Sequence, residues 1–281
     1  MMAGSTQVSR GSTFVHTTIM VFVALLIVGV PLWLVVVNSF KTQAEAAQLS
    51  LGLPRIWHAL TNYGDVFENS RYLRSFKNSI IVTLASELLL FLICIPAAWA
   101  FARSSSRVTK LLYPLVIVGV VLPPAVVPTA FLMRLISLQG TIPALVMFTV
   151  GTRMSLVVFL LTGFARGLPR ELEEAAFVEG ASKLRTLWSV IMPMMWPVLW
   201  AAFVIVTVLI WNDFYGPLFL LSSQNATLPM GLYSLSSGVA KATAWNTVFA
   251  HVVLVSLPLI VVYIVAQRKI VEGVTQGAIK G

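Results

Sequence analysis

Six long apolar runs, at about 14–37, 78–102, 111–133, 142–165, 195–221 and 248–268, limit what this chain can fold into more than any other feature. Each is close to the roughly 20 residues that a helix needs to cross the hydrocarbon core of a bilayer. In that solvent the backbone N–H and C=O groups find no water. A lone apolar run satisfies them internally only as an α-helix. The pattern therefore predicts an all-α membrane protein with six transmembrane helices. Composition agrees, with 58% hydrophobic and 10% charged residues and a mean hydropathy of +0.90. A soluble domain carries about 25% charged residues and could not cover its surface with this few. The first run lacks a strongly basic leader and a following A-x-A cleavage site, and is long for a signal segment, so it reads as a retained helix.

The net charge of +9 does not point to nucleic acid, because the basic residues sit mainly between the apolar runs. There they suit lipid headgroups and orientation signals. With the N-terminus inside, the cytoplasmic segments hold eleven basic residues: Arg10, Arg103, Arg107, Lys110, Arg166, Arg170, Lys183, Arg185, Arg268, Lys269 and Lys280. The outer segments hold seven: Lys41, Arg55, Arg71, Arg74, Lys77, Arg134 and Lys241. The excess predicts both termini in the cytoplasm, with the loop at about 38–77 as the main dissent. That loop reads as a partly ordered outer segment with short helical pieces. No repeat or low-complexity tract divides the chain, so residues 1–281 read as one membrane domain.

The chain holds no phosphate-binding G-x-x-x-x-G-K-[ST] loop, no C-x-x-C pair and no H-E-x-x-H helix. Its histidines, His16, His58 and His251, are scattered, and the lone Cys94 excludes an internal disulfide. No cofactor or metal is expected in this chain. Uphill transport would take its energy from an ion gradient or another subunit.

Against this oily background, residues 169–193 are charged and broken by a glycine. Pro169 suits a first helical turn, and Glu171, Glu173 and Glu174 favour the positive end of the helix dipole. Leu172, Ala175, Ala176 and Glu179 follow the spacing of one flat helical face. Gly180 can end that helix in a left-handed conformation, and Ser182 can cap a second. Leu184, Leu187, Trp188 and Ile191 again share one face, and Pro193 and Pro197 mark the turn into the fifth run. Two short helices with a glycine elbow are expected here. An amphipathic connector resting on the headgroups would show the same periodicity.

The stretch reads Glu174-Ala175-Ala176, three residues, Gly180-Ala181, eight residues, then Val190-Ile191-Met192-Pro193. It resembles the EAA loop of binding-protein-dependent ABC importer permeases. Glu179 stands where that loop usually has Asp, Val190 where it has Ile, and Met192 where it has Leu. Asn38-Ser39-Phe40-Lys41, Trp211-Asn212-Asp213-Phe214, Thr227-Leu228-Pro229 and the ending Gly277-Ala278-Ile279-Lys280-Gly281 extend the likeness in order along the chain. Together they are similar to the carbohydrate-uptake branch, of the maltose-permease type.

The resemblance implies a cytoplasmic coupling helix between spans four and five that docks on a separate ATPase. Glu174, Ala175, Ala176, Glu179, Gly180, Ala181 and Pro193 carry over as ATPase-coupling residues. Gly277, Ala278, Lys280 and Gly281 carry over as a tail contact with the same partner. The chain would be a non-catalytic permease subunit in a bacterial or archaeal cytoplasmic membrane, with ATP and Mg bound by the partner ATPase. Its implied partners are a second permease subunit (a heterodimer), two cytoplasmic ATPase subunits, an external solute-binding protein and the lipid bilayer. The solute would be a sugar, an oligosaccharide or a related polar molecule. A self-contained secondary transporter and a non-transporting membrane scaffold are the competing classes.

Ionisable groups inside spans are costly and default to functional candidates. Glu87, Arg153 and Asp213 are such groups, with Asn212 beside them. A Glu87–Arg153 or Asp213–Arg153 pair would hold the bundle, whereas Asn212 or Asp213 could instead touch solute. Trp211, Phe159, Phe148 and Phe131 are candidates to line a path, although aromatic residues in spans commonly serve packing.

Overall fold

The computed structural model describes residues 10–69, 71–237 and 243–278, with side chains described for 16–68, 71–237 and 243–267. Regular structure among these residues is helical, apart from one isolated bridge between Gly140 and Leu221. The chain forms two compact units, Met1–Ser70 with Ser234–Leu254, and Arg71–Tyr233 with Val255–Gly281.

In the first unit, α1 (Arg10–Ala24) and α2 (Val30–Asn38) flank a π turn at Leu25–Gly29. Along this segment Phe22, Leu26 and Ile27 are all exposed, as a lipid-facing helix requires. The apolar helix then ends in a buried polar turn. Lys41 is 2% exposed, and its Nζ donates to Asn38 Oδ1 at 3.0 Å, Ser50 O at 2.7 Å and Ser50 Oγ at 2.8 Å. Burial pushes the Lys41 ammonium below its ordinary pKa, and the charge of Glu45 opposes that shift. Asn62 Nδ2 donates to the carbonyls of Ser39 and Lys41, each at 2.8 Å, and Asn246 Nδ2 donates to Asn62 Oδ1 at 2.7 Å. Around this turn lie α3 (Gln43–Ala46), capped by the Thr42 hydroxyl, and α4 (Ala59–Asn69). The loop is ordered in short helical pieces.

The second unit is built on α5 (Tyr72–Arg103) and α8 (Ile142–Arg166), which pack along their length. Leu90, Cys94 and Ala98 of α5 are fully buried, as are Ala144, Val157 and Leu161 of α8. The small residues bring the helices close, which is how packing substitutes for hydrophobic drive within a membrane. Against α8 also packs α6 (Arg107–Val121), where a side chain at Gly119 would collide with the Ser155 hydroxyl of α8.

The third expected span is not one straight helix. Pro123 and Pro124 force Leu122 into an extended conformation, and α7 (Val126–Leu135) leaves α6 at 111°. The fifth is also shorter than the run suggests. After α9 (Glu171–Val178), α10 (Lys183–Thr186), a π turn at Leu187–Ile191 and α11 (Met192–Met194), α12 (Trp196–Trp211) ends at Trp211 rather than near 221. Asn212 folds its side chain back onto the Val208 carbonyl, at 2.9 Å. Asp213 Oδ1 then accepts from the Gly216 amide at 3.2 Å, opening α13 (Tyr215–Leu220).

The 3₁₀ turn Ser223–Asn225 is tied to the α7–α8 connection by Asn225 Nδ2 donating to Gly140 O at 2.7 Å. Then follow α14 (Leu228–Ser236) and α15 (Trp245–Ala278). Among the described residues four segments are long and apolar enough to cross a membrane: His16–Asn38, Tyr72–Arg103, Ile142–Arg166 and Trp245–Gln267. Counting α6 with α7 and the 76° pair Lys183–Met194 and Trp196–Trp211 as one crossing each gives six.

Candidate coupling site

The charged loop folds as two short helices around a glycine. Glu171, Glu173 and Glu174 occupy the first turn of α9, where unpaired amides favour anions. The helix closes in a Schellman-type turn, with the Ala181 amide donating to Ala176 O at 2.9 Å and Gly180 at φ +83°. The Ser182 hydroxyl accepts from the Arg185 amide at 3.3 Å and starts α10, as the spacing predicts.

The inner face of α9 consists of Glu173 and Ala176, 6% and 9% exposed. Glu173 Oε1 accepts from Arg103 Nε at 2.6 Å, and its Oε2 accepts from Trp99 Nε1 at 3.2 Å. Arg103 also donates through Nη2 to Leu168 O at 2.9 Å. The last turns of α5 therefore hold both the entry to the loop and its first helix. Beyond the elbow, Leu187, Ile191 and Met195 are at most 1% exposed and sit in the same core as Ile95 and Ala98 of α5.

The outer face presents Glu174, Ala175, Glu179 and Gly180, all exposed, with Leu172, Val178 and Leu184 bare beside them. The flat face expected from Leu172, Ala175, Ala176 and Glu179 is thus divided. Ala176 turns inward because Glu173, one helical turn earlier, fixes the rotation of this eight-residue helix. The second expected face divides too. Leu187 and Ile191 are buried, but Leu184 and Trp188 are exposed, since the π turn shifts the register. Ala181 is half-buried, and Pro193 is exposed in α11 ahead of the bend.

The intramembrane charges form neither expected pair at salt-bridge distance, although the Arg153 charge acts on the Asp213 carboxylate from farther away. Among the described residues Arg153 makes no ion pair with Glu87 or Asp213, and the one salt bridge is Arg103–Glu173. Glu87, 4% exposed, accepts instead from the Thr207 hydroxyl of α12. A hydroxyl donor suits a buried carboxyl without importing a second charge to desolvate. Asp213 is committed to the α13 turn, and Asn212 is exposed.

Sequence reasoning missed a larger feature. Ser75, Asn78, Ser79, Thr83, Ser86 and Glu87 form a buried polar stripe on α5, and their helical spacing was its readable signal. Asn78 Nδ2 donates to Ala226 O at 3.1 Å and Ser79 Oγ accepts from the Leu228 amide at 2.9 Å. The Thr227-Leu228-Pro229 segment is thereby fastened to α5. Ser79, Thr83, Thr149, Asp213 and Thr227 surround a water-sized cavity of about 10 Å³.

Of the aromatic candidates, Trp211 donates from Nε1 to Val255 O at 3.1 Å and Phe148 is 6% exposed, so both serve packing. Phe159 and Phe131 are exposed. Of the tail residues, Lys280 and Gly281 lie outside the described residues, and Gly277 and Ala278 are described only as backbone of α15. Among the described residues no three His, Cys, Asp or Glu side chains gather as metal ligands.

Residues 93–276 match the family described as the binding-protein-dependent transport system inner membrane component. The chain is 30% identical to the diacetylchitobiose uptake system permease protein NgcG of Streptomyces coelicolor, covering 90% of this chain and 85% of that one. It is also 30% identical to the trehalose/maltose transport system permease protein MalG of Thermococcus litoralis, covering 89% and 90%. Its fold is shared with a chain in the crystal structure of a bacterial ABC transporter involved in the import of the acidic polysaccharide alginate. There the TM-score is 0.81 at 19% identity, over 95% of this chain and 99% of that one. With the loop geometry, the helix order and these likenesses in agreement, the chain belongs to the family of inner membrane components of binding-protein-dependent transport systems.

Proposed function

We propose that this chain is one of two permease subunits of an ATP-driven importer for a sugar, oligosaccharide or related polar solute, and that 169–193 is its coupling loop. The observation that carries the reading is the two-sided α9 helix. Its inner side is tied to α5 through Glu173, and its outer side offers Glu174, Ala175 and Gly180 beside bare Leu172 and Val178. Small residues allow close approach of a partner, exposed apolar ones supply the contact area, and Glu174 can pair with a basic group. The names of the permease relatives, which concern diacetylchitobiose uptake and trehalose/maltose transport, support the solute class.

In this reading two cytoplasmic ATPase subunits bind ATP and Mg and close, and an external binding protein delivers the solute. The loop is then displaced as a rigid body, because Glu173, Leu187 and Ile191 are locked to the spans. The second permease subunit completes the pathway. The buried polar stripe of α5, which includes Glu87, together with Asn212, Asp213 and Arg153, supplies this chain's share of a polar route. The work comes from the difference in ATP affinity between the two states. Both termini and the loop then lie in the cytoplasm of a bacterial or archaeal cell, and the Gly277–Gly281 tail reaches the ATPase pair. The whole chain acts as one permease domain.

Replacing Glu174 with Lys and Gly180 with Trp together tests this. Loss of ATPase co-purification and of uptake, with the chain still inserted in the membrane, is the expected result. Intact association and uptake would overturn the assignment.

A further inference from the structure

The ends of three helices enclose a second feature, distinct from the outer face of α9. The last turn of α5, the first turns of α6 and the exit of α8 surround a polar cavity of about 420 Å³, within the size range of small-ligand sites. Four basic side chains line it: Arg103, Lys110, Arg166 and Arg170. Arg103 is neutralised by Glu173. Among the described residues no carboxylate pairs with the other three. The Arg166 guanidinium lies 4.4 Å from the centre of the Tyr113 ring, which holds it by cation–π attraction and leaves its N–H edges free for an anion.

Hydroxyls of Ser104, Ser105 and Thr109 share the wall. The Ser106 side chain accepts from the Thr109 amide at 3.2 Å, so the neighbouring helix start is already capped. The attraction in the cavity therefore comes from the side chains.

Its depth specifies the ligand. The apolar run of α5 ends at Phe101 and Ala102, that of α8 ends at Arg166, and that of α6 begins at Leu111. All three change from apolar to basic at this cavity, which is where hydrocarbon gives way to headgroups. Phe101 and Pro114 supply an apolar side for a glycerol backbone and the first acyl carbons.

We infer that this cavity binds the phosphate headgroup of an anionic phospholipid. Three uncompensated cations in one concave site at membrane depth call for a phosphate, and basic pockets between spanning helices are a known way to hold one. The bound headgroup would sit beside the Arg103–Glu173 pair and relieve the repulsion that Lys110, Arg166 and Arg170 impose on Arg103. The inference stands without the ATPase-coupling reading, since it concerns membrane depth and charge alone.

The test uses the full chain in detergent, titrated with phosphatidylglycerol or phosphatidylcholine and read by native mass spectrometry. Phosphatidylglycerol is expected to bind more tightly than phosphatidylcholine, and Arg166→Gln with Arg170→Gln to weaken it by roughly tenfold or more. The exposed single variant Arg170→Gln, which threatens folding least, should give a smaller loss in the same direction. Lys183→Gln with Arg185→Gln, on the nearby α10, should leave it unchanged.

Three results would overturn the inference: equal loss in both double variants, which means unspecific attraction; displacement of the lipid by millimolar inorganic phosphate, which means a free-phosphate site; or normal lipid binding with lost ATPase association in the Arg166, Arg170 variant, which means a protein interface.

Discussion

Arg103 closes α5 and Glu173 opens α9, and the two meet at 2.6 Å although 70 residues separate them. The pair is shielded, with side chains 14% and 8% exposed, and Trp99 donates a second hydrogen bond to the same carboxylate. A helix of eight residues cannot hold itself in place. Its orientation on the membrane face is therefore a property of this pair and of the packed Leu187 and Ile191 beyond the elbow.

Removing one partner of a shielded pair leaves the other charge uncompensated. Glu173→Ala should therefore lower stability by about 3 kcal/mol and uncouple uptake from ATP hydrolysis. Glu173→Gln, which keeps an acceptor for Trp99, should fall between wild type and Ala. Thermal unfolding in detergent and uptake in vesicles measure the two effects. Wild-type coupling in Glu173→Ala would show that the anchor is dispensable.

Gly180 is left-handed at φ +83°, and a Cβ there would meet nothing within 4 Å. Substitution therefore meets backbone strain without a clash. Gly180→Ala should cost roughly 1 kcal/mol, and Gly180→Asn less, because Asn tolerates this region. Denaturation midpoints of the two variants give the order directly. Equal loss in both would point to a contact at the site.

Lys41 is the buried hub of the turn after α2 and donates three hydrogen bonds. Lys41→Met should cost about 2 kcal/mol, because the Asn38 and Ser50 acceptors lose their donor inside the unit. Arg55→Met, in the same loop but exposed, should change little. Protease resistance of the loop at 38–77 distinguishes the two variants.

Among the described residues Arg153 has no carboxylate at salt-bridge distance, and its charge reaches Asp213 only from farther away. Arg153→Met should therefore keep membrane insertion and thermal stability within about 1 kcal/mol of wild type. Collapse of the protein would restore the idea of a bundle-holding ion pair.

Much of this was readable before the structure. The apolar runs announce helices because a bilayer permits little else, and the Gly180 elbow and Ser182 cap follow from local backbone chemistry. What escaped was partly local and partly non-local. Pro123 and Pro124 are readable as helix breakers inside a continuous apolar run, but the 111° size of the turn they make is not. Asn212 and Asp213 sit in a run that looks unbroken, yet their side chains close one helix and open the next. Glu173 looks like its neighbour Glu174. Only the packing of α5 under α9 makes one an anchor and leaves the other bare. Lys41 reads as an ordinary loop charge because its partner Ser50 lies nine residues away with no pattern linking them.

The central claim is that the outer face of α9 meets an ATPase. Cys94 is fully buried, so Ala175→Cys introduces the chain's one accessible thiol. In membranes that contain the ATPase of the same transport system, a short thiol-to-amine cross-linker should join Ala175→Cys to that ATPase, with a yield that changes when ATP is added. Leu60→Cys, 94% exposed in the loop that the proposed topology puts on the opposite side, should give no such product. Absence of the cross-link at position 175 in vesicles that still import solute would contradict the account.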